Sequence, residues 1–257
     1  MALVECKFKS RILQMSTEMT VILPESSSES ANSEKKYPTL YLLHGMSGDH
    51  SLWSRSYPLE RFVSNYEVAV VMPAFYRSYY TDMAYGNKYW TFLSEELIQT
   101  ARHFFPLSHQ RGENFVAGQS MGGYGAFKLA LRCPEIFGYA GSLAGNMDPE
   151  CLIGLNKVPE AEFNLIFGSI DQYRNSDNHL SYLLIKVVRE GKKLPKLYQT
   201  IGTEDFLYGV NQRFLDLGRS LDLDIEYSEG PGGHEWEYWN RITPQFLEWL
   251  PLKRINS

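Results

Sequence analysis

The chain has 257 residues, 44% hydrophobic and 21% charged. That balance is typical of folded globular proteins and unlike a disordered, collagen-like or coiled-coil chain. With 25 Lys and Arg against 30 Asp and Glu, the formal net charge is −5, which argues against a nucleic-acid partner. The longest unbroken apolar run, residues 68–72, is far short of the roughly 20 residues of a membrane helix, so no membrane partner is expected.

The N-terminal stretch MALVECKFKSRILQM alternates charged and apolar residues and lacks the apolar core of a signal peptide. Cys6, Cys133 and Cys151 are odd in number and far apart. They fit neither a disulfide framework nor a zinc site, so a cytoplasmic location is expected. Residues 2–9 and 18–23 read as two strands. The serine- and charge-rich stretch 25–36 (ESSSESANSEKK) that follows reads as a solvated loop.

Short apolar runs then recur at 37–43, 68–72, 114–117, 139–143, 196–201 and 224–227. Runs of this kind suit parallel strands covered on both faces. Helical patterns separate them at 89–105, 123–131, 180–189, 211–221 and 236–249. Strands alternating with helices predict βαβ units and an α/β fold, with a mostly parallel sheet between helical layers. No internal repeat is present. The reading is one domain over 1–257, with a small cap in the irregular segment 146–178.

The motif that carries chemistry is Gly118-Gln119-Ser120-Met121-Gly122, a match to G-x-S-x-G. The run NFVA precedes it and a small-residue helix follows, the strand–turn–helix setting of a nucleophile elbow. Such a turn raises a serine hydroxyl above the sheet and leaves the next N–H at a helix N-terminus, where anions are stabilised. A serine needs an adjacent base, and the hydrolase order is Ser, then acid, then His. Of the six histidines only His179 and His234 follow Ser120. His179 opens a helix, whereas His234 lies in the loop GPGGHEW after the last strand, where the base belongs. His234-Glu235 begins H-E-x-x, but Tyr238 stands where the zinc motif needs a second histidine, so no metal is expected.

The acid comes from the loop after the penultimate strand, Gly202-Thr203-Glu204-Asp205. Asp205 is the assignment and Glu204 the alternative. Such an acid orients the imidazole and stabilises its charged form. The second oxyanion donor is expected from the loop after the third strand, His44-Gly45-Met46-Ser47-Gly48. The two donors are assigned as the N–H groups of Met46 and Met121. His44 precedes the serine and reads as structural, and Asp148 and Asp171 read as cap or turn residues.

The blocks LLHGMSGDHSLW, YYTDMAYG, AGQSMGGYGAFKLAL, GTEDFLY and GGHEWEYW together resemble the tributyrin esterases of Gram-positive bacteria, within the larger esterase D group of α/β-hydrolases. The resemblance spans residues 42–239. It implies an α/β-hydrolase fold and a serine carboxylesterase for short acyl esters, with little or no lid and no cofactor. It also implies a triad of Ser120, Asp205 and His234, the positions already reached from chemistry. Members of the family are often homo-oligomeric.

S-formylglutathione hydrolases of the same group typically carry histidines where this chain has Gln119 and Tyr124, so thioester hydrolysis stands as an alternative, beside carbohydrate deacetylation and acyl transfer. A non-catalytic binding protein on the same fold is the rival from another class. Aromatics gather near the proposed site: Trp53, Tyr76, Tyr79, Tyr80, Tyr85, Tyr89, Trp90, Tyr208 and Trp236. They are expected to wall an ester pocket, and the resemblance favours the Tyr80-Thr81-Asp82 stretch as pocket-lining. The expected substrate contacts are Gly45, Trp53, Tyr80, Asp82, Tyr124 and Trp236.

Overall fold

Five of the six strands predicted to be buried on both faces form the middle of one eight-stranded sheet, and the sixth, over 224–227, forms its edge with no residue fully buried. In the computed structural model, which describes residues 1–25 and 35–255, the strands lie side by side in the order β1 (Ala2–Lys9), β2 (Ser16–Leu23), β4 (Ala69–Pro73), β3 (Thr39–Leu43), β5 (Asn114–Gln119), β6 (Tyr139–Leu143), β7 (Lys196–Gly202) and β8 (Ile225–Gly230). The central strands β3 (Thr39–Leu43), β4 (Ala69–Pro73) and β5 (Asn114–Gln119) are buried at every residue. β6 (Tyr139–Leu143) and β7 (Lys196–Gly202) are buried at all but their first. They run parallel, as does β8 (Ile225–Gly230) beside β7. Their Val, Ile, Leu and aromatic content suits strands covered from both sides.

The N-terminal strands differ. β1 (Ala2–Lys9) alternates half-buried and exposed residues, and pairs antiparallel with β2 (Ser16–Leu23) from Ala2–Leu23 to Lys9–Ser16. β2 in turn lies antiparallel to β4. The expected loop over 25–36 falls, for residues 26–34, outside the described residues.

The order reverses between β3 and β5. From β3 the chain crosses to β4 on one side, and from β4 to β5 on the other. Loops at the carboxyl ends of two strands that diverge in this way open a crevice, the usual ligand position of an open α/β sheet. Here those loops are residues 44–51, after β3, and Ser120, after β5.

The predicted helices form, 180–189 and 236–249 with the predicted ends and the other three with shifted ones. The segment 89–105 ends at Phe104 and carries a π-helical turn over Phe92–Leu97. Glu96, within that turn, accepts from Ser10 Oγ (2.6 Å) and from the N–H groups of Arg11 (2.7 Å) and Ile12 (3.1 Å) in the β1–β2 turn. The elbow helix runs Met121–Arg132, and two others run Leu180–Arg189 and Tyr208–Ser220. The last runs Trp236–Trp249 and accommodates Pro244. The segment 146–178 folds into three short helices, Cys151–Gly154, Glu160–Phe167 and Ile170–Arg174. No helix among the described residues is long and apolar enough to cross a membrane.

Candidate active site

Ser120 stands between β5 and the elbow helix with φ 56° and ψ −121°. A non-glycine residue in this region is strained by about 1–3 kcal/mol and persists only where its surroundings fix it. Here they do. Its N–H donates to Leu143 O at 3.2 Å, and its carbonyl accepts from the N–H groups of Gly123, Tyr124 and Asn146 at 3.0–3.2 Å. The turn closes so tightly that a Cβ at Gly118 would stand 2.5 Å from the Gly122 carbonyl carbon. Only glycine fits there.

Ser120 Oγ lies 2.8 Å from His234 Nε2, and His234 Nδ1 lies 2.8 Å from Asp205 Oδ2. A carboxylate only accepts, so Nδ1 carries the ring proton and Nε2 is left to accept from the serine hydroxyl. The Asp205 side chain is fully buried. Its second oxygen accepts from Leu207 N–H at 2.8 Å, which fixes the carboxylate plane. Glu204, the alternative acid, binds the Gly232 N–H instead and so braces the loop that carries His234. The imidazole packs edge-on against Trp239 (5.1 Å) and tilted against Phe206 (4.7 Å).

The loop after β3 is shaped by His44. Its Nδ1–H donates to Gly45 O (2.7 Å), and Nε2 accepts from Phe75 N–H (2.9 Å). Gly48 N–H donates to the same Gly45 carbonyl at 3.0 Å. A trans peptide points its N–H opposite its C=O, so these two bonds turn the Met46 N–H the other way. No acceptor takes that N–H among the described residues. Burial lowers the His44 pKa to about 4, which keeps the ring neutral at neutral pH. Met121 is the first residue of its helix, so its N–H lacks an intrahelical acceptor.

Gly45, Met46, Ser120 and His234 line a cavity of about 570 Å³. Tyr79, Gln119, Asn146, Phe206, Trp236 and Trp239 complete most of its wall. Four residues expected to contact substrate are placed elsewhere. Trp53 is 1% exposed and donates its indole N–H to Leu43 O (3.1 Å), while its ring meets Trp236 edge-on at 5.4 Å. Tyr80 is fully buried, with its hydroxyl on His44 O at 2.7 Å. Tyr124 is buried and donates to Asn178 O at 2.7 Å. Asp82 accepts from Thr91 N–H (2.9 Å) and Oγ1 (2.6 Å). Each polar tip is already used by the protein, so these residues support the wall rather than form it.

Of the predicted aromatics only Tyr79 and Trp236 line the cavity. Asn146, Phe206 and Trp239 were not singled out by sequence reasoning, and Gln119 only as a departure from the S-formylglutathione hydrolase pattern. Gln119 and Asn146 follow from position alone, since both sit at the carboxyl ends of central strands. His179 immediately precedes the helix Leu180–Arg189, with no side-chain capping bond, and packs edge-on against Tyr173 (5.3 Å). Asp148 accepts from the Tyr173 hydroxyl at 3.0 Å.

The sequence matches the model of the family described as Putative esterase over residues 10–249. The chain belongs to that family. An acetyl esterase of Caldicellulosiruptor saccharolyticus is 29% identical over 97% of this chain and 98% of its own. Two Staphylococcus aureus structures are each 33% identical and cover 97% of this chain and 98% of theirs. One is FphF, a fluorophosphonate-binding serine hydrolase, with a TM-score of 0.90. The other is the S-formylglutathione hydrolase FrmB, with a TM-score of 0.87. The protein is therefore an esterase-type serine hydrolase of the α/β-hydrolase fold, a carboxylic ester hydrolase.

Proposed function

We propose that the protein hydrolyses esters of short acyl chains, acetyl to butyryl and including tributyrin, through an acyl-enzyme on Ser120. The observation that carries this reading is the continuous chain of 2.8 Å contacts from Ser120 Oγ through His234 to Asp205. Ser120 Oγ attacks the ester carbonyl as its proton passes to His234 Nε2. Asp205 holds the ring tautomer and stabilises the imidazolium. The carbonyl oxygen becomes an oxyanion and accepts from the N–H groups of Met46 and Met121. Each such donor is worth about 10²–10³ in kcat. The tetrahedral intermediate expels the alcohol, which takes the proton from His234. Water then gives a proton to the same nitrogen as it attacks the acyl carbonyl, and the second tetrahedral intermediate expels Ser120 Oγ, which takes that proton back from His234 as the acid is released.

Gly45 and Trp236 are the expected substrate contacts that border the cavity. We read residues 1–257 as one domain, with 146–178 as a small cap, and take the three unpaired thiols as support for a cytoplasmic location and the family resemblance as support for a homo-oligomer. Aromatic walls favour each added CH₂ by about 0.8 kcal/mol while it fits and cost about 1–3 kcal/mol once it does not. Across p-nitrophenyl esters of two to twelve carbons, kcat/KM is expected to peak by four. A maximum at ten or more carbons would refute the short-acyl reading. The likeness to FrmB supports a second reading, S-formylglutathione hydrolysis. Turnover of that thioester a hundredfold faster than any ester would promote it.

A further inference from the structure

The cavity contains a polar group that the proposed reaction leaves unused. Gln119, the last residue of β5, is 3% exposed and lines the cavity beside Ser120. Its Oε1 is buried and accepts no hydrogen bond from the described residues. The amide rests against Gly45: a Cβ there would stand 2.5 Å from Oε1 and 2.9 Å from Nε2. It therefore lies between the serine and the loop that presents the Met46 N–H.

An unpaired buried carbonyl costs about 1–3 kcal/mol, and native proteins keep few of them. Met or Leu would fill the same space without that cost. The neighbouring amide behaves differently. Asn146 donates to the Tyr79 hydroxyl (3.2 Å) and accepts from Asp148 N–H (3.3 Å). A second unpaired atom belongs to the wall as well, the Nε1–H of Trp239. Among the described residues the wall thus holds a buried unmet acceptor and a buried unmet donor, both on residues that border the Ser120–His234 pair. A hydroxyl can satisfy either.

We propose that Gln119 determines specificity by accepting a hydrogen bond from a substrate hydroxyl close to the scissile ester. The inference rests on Ser120 being the nucleophile. It narrows the substrate class from short esters in general to those bearing a hydroxyl on the acyl or the alcohol side. A site built to pair with a hydroxyl rejects the isostere lacking it, because the buried partner is then left unpaired.

Two matched pairs of esters test this, each replacing one hydroxyl by a methyl group. Ethyl lactate against ethyl isobutyrate probes the acyl side, and 2-hydroxyethyl acetate against propyl acetate probes the alcohol side. The wild-type kcat/KM is expected to favour the hydroxylated ester by about tenfold or more in one pair. Gln119→Met is expected to erase most of that preference, and the pair that responds identifies the side. Equal or reversed preference in both pairs for the wild-type protein would overturn the proposal without any variant. So would a preference that Gln119→Met leaves intact. Ser120→Ala, run beside them, separates the two readings: if it abolishes hydrolysis of all four esters, the nucleophile assignment stands whatever the ratios show.

Discussion

Two stretches that border the cavity hold non-glycine residues in left-handed backbone, and they are fixed in opposite ways. At the elbow, Ser120 has φ 56°; across the cavity, Tyr76, Tyr79 and Tyr80 have φ 49–51°. The elbow is clamped by backbone, through the bonds of Ser120 to β6 and to its own helix. The tyrosine loop is clamped by side chains. The Tyr80 hydroxyl reaches His44 O, and Thr81 Oγ1 donates to Tyr79 O at 2.9 Å. The buried Lys128 Nζ donates to Tyr80 O (3.0 Å) and Thr81 Oγ1 (2.8 Å). Strain at the proposed nucleophile is thus beyond the reach of most single side-chain changes. Strain at the wall is held by the side chains of Tyr80, Thr81 and Lys128 and can be tuned.

The largest expected effect is at the backbone-clamped side. Ser120→Ala keeps the turn but removes the proposed nucleophile, and residues of such a unit are grossly non-additive. A loss in kcat of about 10⁴-fold or more is expected. A fluorophosphonate probe should add to Ser120 in the wild-type protein, as peptide mass spectrometry would show. Activity within tenfold of wild type in Ser120→Ala, with another serine labelled, would place the chemistry elsewhere.

The contrast also shows what the sequence discloses. The elbow is legible because its constraint is local: Gly118, Ser120 and Gly122 are demanded by one turn. Asp205 and His234 are legible because strand order fixes which loops can reach that turn. The wall is not legible to the same degree. Trp53, Tyr80, Asp82 and Tyr124 have the composition of pocket residues, yet their polar groups are spent on Leu43, His44, Thr91 and Asn178. Those partners are tertiary, and no periodicity reports them. The same holds for Gln119, whose significance is a bond it does not make, and for the π-helical turn that brings Glu96 to residues 10–12. The core strands behave oppositely. Double burial leaves a run of apolar residues that needs no partner to be recognised.

A smaller effect separates the loop of the proposed oxyanion site from both stretches. His44 is neutral in the fold because burial lowers its pKa to about 4, against about 6.5 for an unfolded histidine. Between those values the unfolded chain binds more protons, so stability rises with pH and is lost as pH falls from about 6.5 toward 4. The limit is about 1.4 kcal/mol per pH unit, or roughly 3 kcal/mol over the window. Urea unfolding of the wild-type protein and His44→Gln at pH 7 and pH 4.5 reads this directly. The wild-type protein should lose more stability on acidification than the variant does. Equal losses would mean that His44 is not the group that couples the loop to acid.

The smallest effect, and the sharpest test of the contrast, is at Lys128. Burial pushes its pKa well below the ordinary lysine value, so the unfolded chain binds the extra proton over the alkaline side of that shift. Wild-type stability should therefore rise with pH toward about 10.4, where a free lysine titrates. Lys128→Met should flatten this rise. Replacing a buried ionisable group with an apolar one of similar length is often neutral or stabilising, so global stability near pH 7 is expected to hold or increase. The tyrosine loop, however, loses two hydrogen bonds, each worth about 0.5–1.5 kcal/mol. Tyr79 lines the cavity, so that loss should appear as a KM raised by about three- to tenfold. The kcat should stay near the wild-type value, because Ser120, His234 and Asp205 are held by bonds that do not involve Lys128. A fall in kcat with KM unchanged would break the comparison. It would show that the amine acts on the elbow through their shared helix rather than on the wall.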